Sequence, residues 1–429
     1  MKPLEIVIVG AGDRADCYSE LALRKPDKLR IVGLVDPDPA RLEFMSKKYN
    51  VPKENHFTSL EDFLAREKFA DAVLNGTLDH LHVATSVPVL EKGYDLLLEK
   101  PFCVNEEEMW TLLEAARRTG RKVMVCHVLR YTPFYRSIKE HIMAGEIGKV
   151  LSISLTEHAA YHHYAAAFVR GKWANESVTG APLLLAKSCH DLDLMMWFMD
   201  DVKPVQVSSF GSDLQFRPEN KPAGAGHTCM VDCPACIEAE CMYSARKNYL
   251  EPEMHWMHYA FQHLQGRETP REDAHKSLLD PNNKFARCVW DCEHDLVDHQ
   301  TVIVNFEDGV IGTFVLIGGS AKAERNIHIV GTKGEIKGVF QDSKYVIRKA
   351  APNDTFEETL YDVGIRGSMD GEGGGHGGGD LRMAADFVEY AQGGAPSISC
   401  TSLEDSMRSH LAVFRAEKAR KNGTVEKIL

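Results

Sequence analysis

No window of the 429-residue chain approaches the roughly eighteen uninterrupted apolar residues that a membrane-spanning helix needs. Nor does a leader with a basic start, an apolar middle and a small-residue cleavage site precede the first strand-like run, which begins directly behind Met1-Lys2-Pro3. A soluble, cytoplasmic protein with no membrane partner is therefore expected. Basic runs are missing too: lysine and arginine number 50 against 62 aspartates and glutamates, a formal charge of -12. Nucleic acid is excluded as a partner on that count, because its phosphates need a basic face to displace their counterions. A secreted disulfide framework is equally absent, since eleven cysteines is an odd number and seven of them are scattered along the chain.

What is present is enough apolar residue, 44% of the composition, to bury two cores in a chain of this length. Residues 1–130 read as one domain and 131–429 as a second. In the first, Glu5-Ile6-Val7-Ile8-Val9 is an apolar run that ends in Gly10-Ala11-Gly12-Asp13-Arg14-Ala15, after which Tyr18, Leu21, Ala22 and Leu23 carry helical spacing as far as Pro26. A dinucleotide pyrophosphate requires strand, glycine turn and helix in this order. Gly10 permits the tight turn, Gly12 lets the backbone approach, small Ala15 lets the helix pack close, and the helix N–H groups receive the phosphates. A second strand, Leu29 to Val35, ends in Asp36, whose carboxylate can accept both ribose hydroxyls and repel a 2′-phosphate, so NAD is favoured over NADP. Further alternation follows: a capping-box helix start at Thr58-Ser59-Leu60-Glu61, strands near Ala70–Leu74 and Tyr94–Leu98, and a helix between them near Ser86–Lys92. Such alternation predicts a parallel sheet, hence a Rossmann domain.

The strand Tyr94–Leu98 runs into Glu99-Lys100-Pro101, followed by Asn105-Glu106-Glu107-Glu108 opening a helix and a strand at Lys122–Cys126. Together with the glycine turn, the Thr77-Leu78-Asp79-His80-Leu81-His82 stretch and the closing helix, these residues resemble the glucose-fructose oxidoreductase, inositol dehydrogenase and rhizopine-catabolism family, written Gfo/Idh/MocA. The likeness covers nearly the whole chain. It implies that Lys100, at the carboxyl end of its strand, points at the nicotinamide and the reacting carbinol. An alcohol gives up hydride only as its hydroxyl proton leaves, and a partly desolvated lysine can take part in that transfer. By the same resemblance Thr77, His82 and Glu99 are cofactor-pocket residues, with Arg14 of the glycine turn beside them.

Beyond residue 131, Val150–Thr156 alternates as a strand, Gln300–Phe306 and Val310–Leu316 flank the turn Glu307-Asp308-Gly309, and strands follow near Asn326–Val330 and Tyr345–Lys349. The expected fold class is therefore α/β: the Rossmann domain plus a C-terminal α+β domain with a mostly antiparallel open sheet, one face covering the cofactor site and the other free to pair with a second copy in a homo-oligomer. The segment Lys187-Ser188-Cys189-His190-Asp191-Leu192-Asp193 continues onto an apolar helix face. The resemblance places a histidine here against the substrate, making His190 a catalytic candidate and Asp193, one turn on, a substrate-binding one. Relatives usually carry an aspartate four residues before that histidine; this chain has Ala186, which leaves Lys187 or an outside residue to polarise His190. A hydroxyl-rich ligand also calls for polar groups beside an aromatic plane, which His163, Arg170 and Trp173 offer. The run Gly371–Asp380 embeds His376 and Asp380 among glycines and reads as a binding loop, and Asp298-His299 adds His299 as a further polar candidate.

Cys229, Cys233, Cys236 and Cys241 fall within thirteen residues, inside a segment at about residues 221–298 whose weak periodicity reads as an insertion. Four such thiols in a reducing compartment fit a structural zinc that supplies folding energy to a coreless segment, with an iron–sulfur cluster or unliganded thiols as alternatives. The functional expectation is an NAD-dependent oxidoreductase acting on a hydroxyl of a sugar, glycoside or polyol. Two alternatives stay open: an NAD-dependent glycoside hydrolase working through transient oxidation at C3 and elimination, and a non-catalytic sensor of NAD and sugar.

Overall fold

The computed structural model describes residues 2–200, 202–251, 257–262, 264, 269–364 and 376–429. Its first sheet holds six parallel strands, β1 (Leu4–Val9), β2 (Leu29–Val35), β3 (His56–Phe57), β4 (Ala72–Asn75), β5 (Asp95–Leu98) and β6 (Val123–Val125), in the order β3-β2-β1-β4-β5-β6. The four residues of β4 and the three of β6 are all buried, the signature of parallel strands covered on both faces. Crossover helices supply the cover. In Glu106–Thr119, Asn105 accepts a hydrogen bond from the Glu108 N–H at 2.9 Å, three glutamates occupy the positive end, and Gly120 stops the helix with a φ of 64°. Its buried residues Met109, Leu112, Leu113 and Ala116 recur at three- and four-residue spacing and face the sheet.

The second sheet has nine strands: β7 (Val150–Ala160), β8 (Pro204–Ser212), β9 (His299–Phe306), β10 (Ile311–Ser320), β11 (Glu324–Gly331), β12 (Glu335–Val339), β13 (Lys344–Ala351), β14 (Thr355–Asp362) and β15 (Glu426–Lys427). They lie in the order β14-β13-β12-β11-β7-β10-β9-β8-β15, and every pairing is antiparallel except β10 with β7. Alternation sorts the faces: Val302, Val304 and Phe306 of β9 are buried while Ile303 and Asn305 are exposed, and Phe314 and Leu316 of β10 are buried while Ile311 and Ile317 are exposed. Helices Cys189–Met199 and Leu403–Asn422 pack on the inner face. The expected α/β class with a parallel and a mostly antiparallel sheet is what the chain forms.

Between β8 and β9 lies the cysteine-containing segment. It is not coreless: Tyr249, Phe261, Leu278 and Phe285 pack with Ala245, Ala286 and Cys229 in a small cluster of their own.

Candidate active site

The glycine turn joins β1 to helix Asp13–Arg24. Gly10 has a φ of 84°, and a side-chain carbon there would stand 2.6 Å from the Thr77 amide nitrogen, so no other residue fits. At Gly12 the same added carbon would meet nothing within 4 Å, which leaves an open concavity in front of the helix N-terminus. Bare N–H groups facing open space are what a pyrophosphate needs. Asp36, buried at the end of β2, accepts from the Ala11 N–H at 2.8 Å and the Asp38 N–H at 2.9 Å, which pins its carboxylate beside the turn. These residues fit a dinucleotide.

Arg14 and His82 do other work than expected. Arg14 donates to Asp380 at 2.7 Å, to Glu99 at 3.2 Å and to the Tyr18 hydroxyl at 2.8 Å, so its guanidinium ties the glycine turn to β5 and to the helix that closes the chain's loop. Glu99 spends one oxygen on Arg14 and Tyr18 and the other on the Lys100 N–H at 2.5 Å. His82 is fully buried; Nδ1 lies 2.6 Å from the Pro101 carbonyl and Nε2 3.1 Å from that of Thr77. With both nitrogens against backbone it braces the turn after Lys100 and offers nothing to a ligand. Thr77 donates its hydroxyl to Asn75 at 2.8 Å on the same rim.

Lys100 leaves the carboxyl end of β5 and donates from Nζ to the Ala186 carbonyl at 2.8 Å, at the end of the short helix Leu183–Ala186. His190 sits one turn further on, in the first turn of Cys189–Met199 and 5% exposed. Its ring centroid is 5.7 Å from that of His127 and 5.9 Å from that of His376. Burial holds His190 well below the ordinary histidine range, and Lys100, His127 and His376 add to the effect. It is therefore a neutral base near pH 7. His376 Nδ1 stands 3.3 Å from Asp380 Oδ1. Burial opposes the charge on Asp380, yet Arg14 and His376 keep its carboxyl well below the usual range. Residues 371–375 of the glycine-rich run lie outside the described residues.

Behind these groups Glu157 of β7 and Arg325 of β11 face each other in register, both pointing inward. Arg325 Nε lies 2.5 Å from Glu157 and 3.0 Å from Asp191, and Lys187 Nζ is 2.8 Å from Glu157. Lys187 is thus committed to a carboxylate of its own. Burial pushes Asp191 up to about 6, against the pull of Arg325.

Two family models match the chain: an oxidoreductase family with an NAD-binding Rossmann fold over residues 4–127, and that family's C-terminal alpha/beta domain over residues 139–426. The chain belongs to the Gfo/Idh/MocA oxidoreductase family. Among relatives, the putative oxidoreductase YteT of Bacillus subtilis is 28% identical over 395 residues, 89% of this chain and 88% of that protein. The inositol 2-dehydrogenase of Corynebacterium glutamicum strain R is 25% identical over 197 residues, 46% of this chain and 54% of that enzyme. In fold, a levoglucosan dehydrogenase solved with NADH superposes with a TM-score of 0.72 at 17% identity, covering 100% of both chains. The protein is an NAD-binding oxidoreductase with the fold of this family.

Several expected residues of this family member lie away from the Lys100–His190 pair. Asp193 is buried and receives two hydrogen bonds from Arg130, at 2.7 Å and 2.6 Å, which occupy both its oxygens. Arg170 is likewise interior: it donates to the Arg287 carbonyl at 2.8 Å and the Tyr243 carbonyl at 2.9 Å and fastens the insertion to the domain. His299 opens β9 with Nδ1 2.7 Å from the preceding Asp298, a strand-start arrangement. Trp173 does reach the cofactor domain, donating its indole N–H to Asp79 at 3.2 Å. His163 packs against Phe168 with ring centroids 6.0 Å apart, and burial, with Lys187 adding to it, holds it well below the ordinary histidine range.

The zinc expectation is not supported. Cys229, Cys233 and Cys241 line one small cavity with Cys288, but Cys236 is exposed outside it on the helix Ala235–Glu240. Among the described residues no group of three or more His, Cys, Asp or Glu side chains is placed to hold a metal ion. The apolar cluster around Tyr249 and Phe285 supplies the packing that the sequence pattern conceals. Also among the described residues, no helix is long and apolar enough to cross a membrane.

Sequence reasoning missed His127, Glu157 and Arg325. The last two carried a signal: each is a charge at an inward position of an otherwise apolar alternation, Ile153-Leu155-Glu157-Ala159 and Arg325-Ile327-Ile329.

Proposed function

We propose that the protein oxidises a hydroxyl-bearing carbon of a carbohydrate or polyol, or reduces the corresponding ketone, with NAD. The Lys100–Ala186 hydrogen bond carries the reading, because it brings an ammonium within electrostatic reach of neutral His190 at the edge where the parallel strands end. The Gly10–Gly12 turn, the first N–H groups of Asp13–Arg24 and Asp36 would hold the dinucleotide, with Thr77 at the rim. NAD, when bound, supplies the acceptor or donor of hydride.

The rest falls to the chain's own groups. The carbinol oxygen loses its proton to His190 Nε2 as its carbon–hydrogen bond breaks, and Lys100 donates a hydrogen bond that stabilises the charge growing on that oxygen. The Trp173–Asp79 hydrogen bond joins the second domain to the Rossmann domain. A neutral imidazole is available for the proton transfer at pH 7 because burial disfavours its charged form. Incubation with NAD and a panel of sugars and polyols tests the reading. Growth of the reduced-cofactor absorbance, lost in Lys100→Met, is expected, and no reduction with any hydroxyl substrate counts against it.

One observation favours a second reading, redox-neutral cleavage of a glycoside. The His376–Asp380 pair stands across from His190 and gives the site a carboxylate-backed imidazole; burial lowers it, Asp380 opposes that, and a proton placed on it could pass to a leaving aglycone. Release of nitrophenol from an aryl glycoside that requires NAD yet accumulates no NADH would select it.

We further propose a homo-oligomer through the outer face of the second sheet. Phe210, Ile303, Ile311 and Ile317 are exposed on the outer face of β8, β9 and β10, set among Thr301, Thr313 and Asn305, and this apolar exposure supports an interface there. Light scattering reads the assembly directly.

A further inference from the structure

His190 has no carboxylate hydrogen-bonded to it, and Nδ1, on its inner side, is buried with no hydrogen-bond partner among the described residues. Behind it stands His127, the second residue after β6, fully buried, with both ring nitrogens in the same condition. The two rings meet edge to face at 5.7 Å between centroids and 80° between planes. On its other side His127 Nε2 is 3.8 Å from Asp193 Oδ1, and Asp193 is held in place by the two hydrogen bonds from Arg130. Burial, with Arg130 and Lys100 adding to it, holds His127 well below the ordinary histidine range, so it is a neutral ring with one donor and one acceptor.

Buried imidazole nitrogens left unpaired are costly, and fixed polar groups at this spacing are ordinarily joined through one internal water. We propose that His127 is the positioning residue of His190, passing to it the influence of Asp193 in place of the carboxylate absent at Ala186. His190 turns its Nδ1–H towards Nδ1 of His127 through one bridging water, and His127 turns its Nε2–H towards Asp193 across the 3.8 Å that separates them. This leaves the Nε2 lone pair of His190 facing the substrate. When that nitrogen takes the hydroxyl proton, the imidazolium formed is stabilised by Asp193 at one remove, as a carboxylate stabilises a catalytic histidine it touches. Arg130 fixes the carboxylate. His410 flanks His127 at 5.7 Å, with Nδ1 against the Ser406 carbonyl at 3.2 Å and Nε2 buried without a partner, and the relay as proposed runs through His127 without it, so His410→Phe is the comparison variant.

The proposal rests on His190 as the proton-handling group, yet its test needs no turnover. In histidine-15N-labelled protein with NAD bound, nitrogen spectra assigned by a His190→Gln spectrum report the tautomer of His190. Wild type is expected to hold one dominant form, Nδ1–H. His127→Phe should shift the majority to Nε2–H, while His127→Gln, which can accept and donate, and His410→Phe should both retain the wild-type form. Melting curves confirm that each variant is folded. An Nε2–H form in wild type overturns the proposal whether or not the Phe variant folds, and so does a folded His127→Phe protein whose His190 tautomer is unchanged. Failure of the catalytic reading would instead appear as undiminished turnover in His190→Gln with the tautomer of the wild type still Nδ1–H.

Discussion

Lys100 Nζ and the Ala186 carbonyl are joined by a 2.8 Å hydrogen bond that links the turn following a parallel strand of the first domain to the short helix preceding the one that bears His190 in the second. Ala186 contributes only its backbone oxygen, and that oxygen orients the lysine.

Replacing Lys100 with Met should therefore separate chemistry from binding. Turnover is expected to fall about 10²–10⁴-fold, the range for a positioned proton-transfer group, while NAD affinity, measured by quenching of protein fluorescence, changes little because Gly10, Gly12 and Asp36 are untouched.

Cofactor choice rests on Asp36. Asp36→Ser keeps an acceptor for the Ala11 N–H but removes the charge that repels a 2′-phosphate. Titration should show weaker NAD binding and stronger NADP binding than in the parent protein, with Arg41, whose guanidinium lies 3.9 Å from Asp36, free to meet the added phosphate.

The Arg130–Asp193 pair is interior on both sides. Asp193→Ala strands a buried guanidinium and should cost about 3–5 kcal/mol in urea unfolding. Replacing both partners with apolar residues of similar volume should recover most of that loss, since no unpaired charge remains.

Buried histidines set the acid limit of stability. His127, His190 and His410 all have folded-state values well below the ordinary range, with burial as the leading cause. An unfolded histidine binds a proton near pH 6.5 and these folded ones do not, so the unfolded state holds more protons below that pH. Stability is full above about pH 6.5 and declines as pH falls towards the folded values. Melting temperatures across pH 5 to 8 should show the decline, and His410→Phe should flatten it.

Much of this was legible in the sequence for a physical reason: turns and strand ends are specified locally. Gly10 announces itself because its positive φ and close packing suit glycine alone, Gly12 and Asp36 by their spacing from it, and Glu307-Asp308-Gly309 marks the β9–β10 turn through the positive φ of Gly309. The buried charges were not legible. Glu157 and Arg325 neutralise each other across strands 168 positions apart, reckoned from their numbers, and no local pattern links them. Arg170 looks like a site residue in sequence, since a charge next to an aromatic invites that reading, and Asp193 looks like a ligand for substrate; their partners, Tyr243 for the one and Arg130 and His127 for the other, come from distant segments. The cysteine spacing misled similarly, because the apolar cluster that packs the insertion is drawn from residues 229 to 286 and has no periodicity to betray it.

The central claim is that Lys100 and His190 together handle the proton of a carbohydrate or polyol hydroxyl beside the nicotinamide. A crystal structure with NAD and a substrate found by turnover tests it most directly. The account predicts one hydroxyl within hydrogen-bond reach of both Lys100 Nζ and His190 Nε2, on the carbon that faces the nicotinamide; a reacting hydroxyl held by neither group would contradict it.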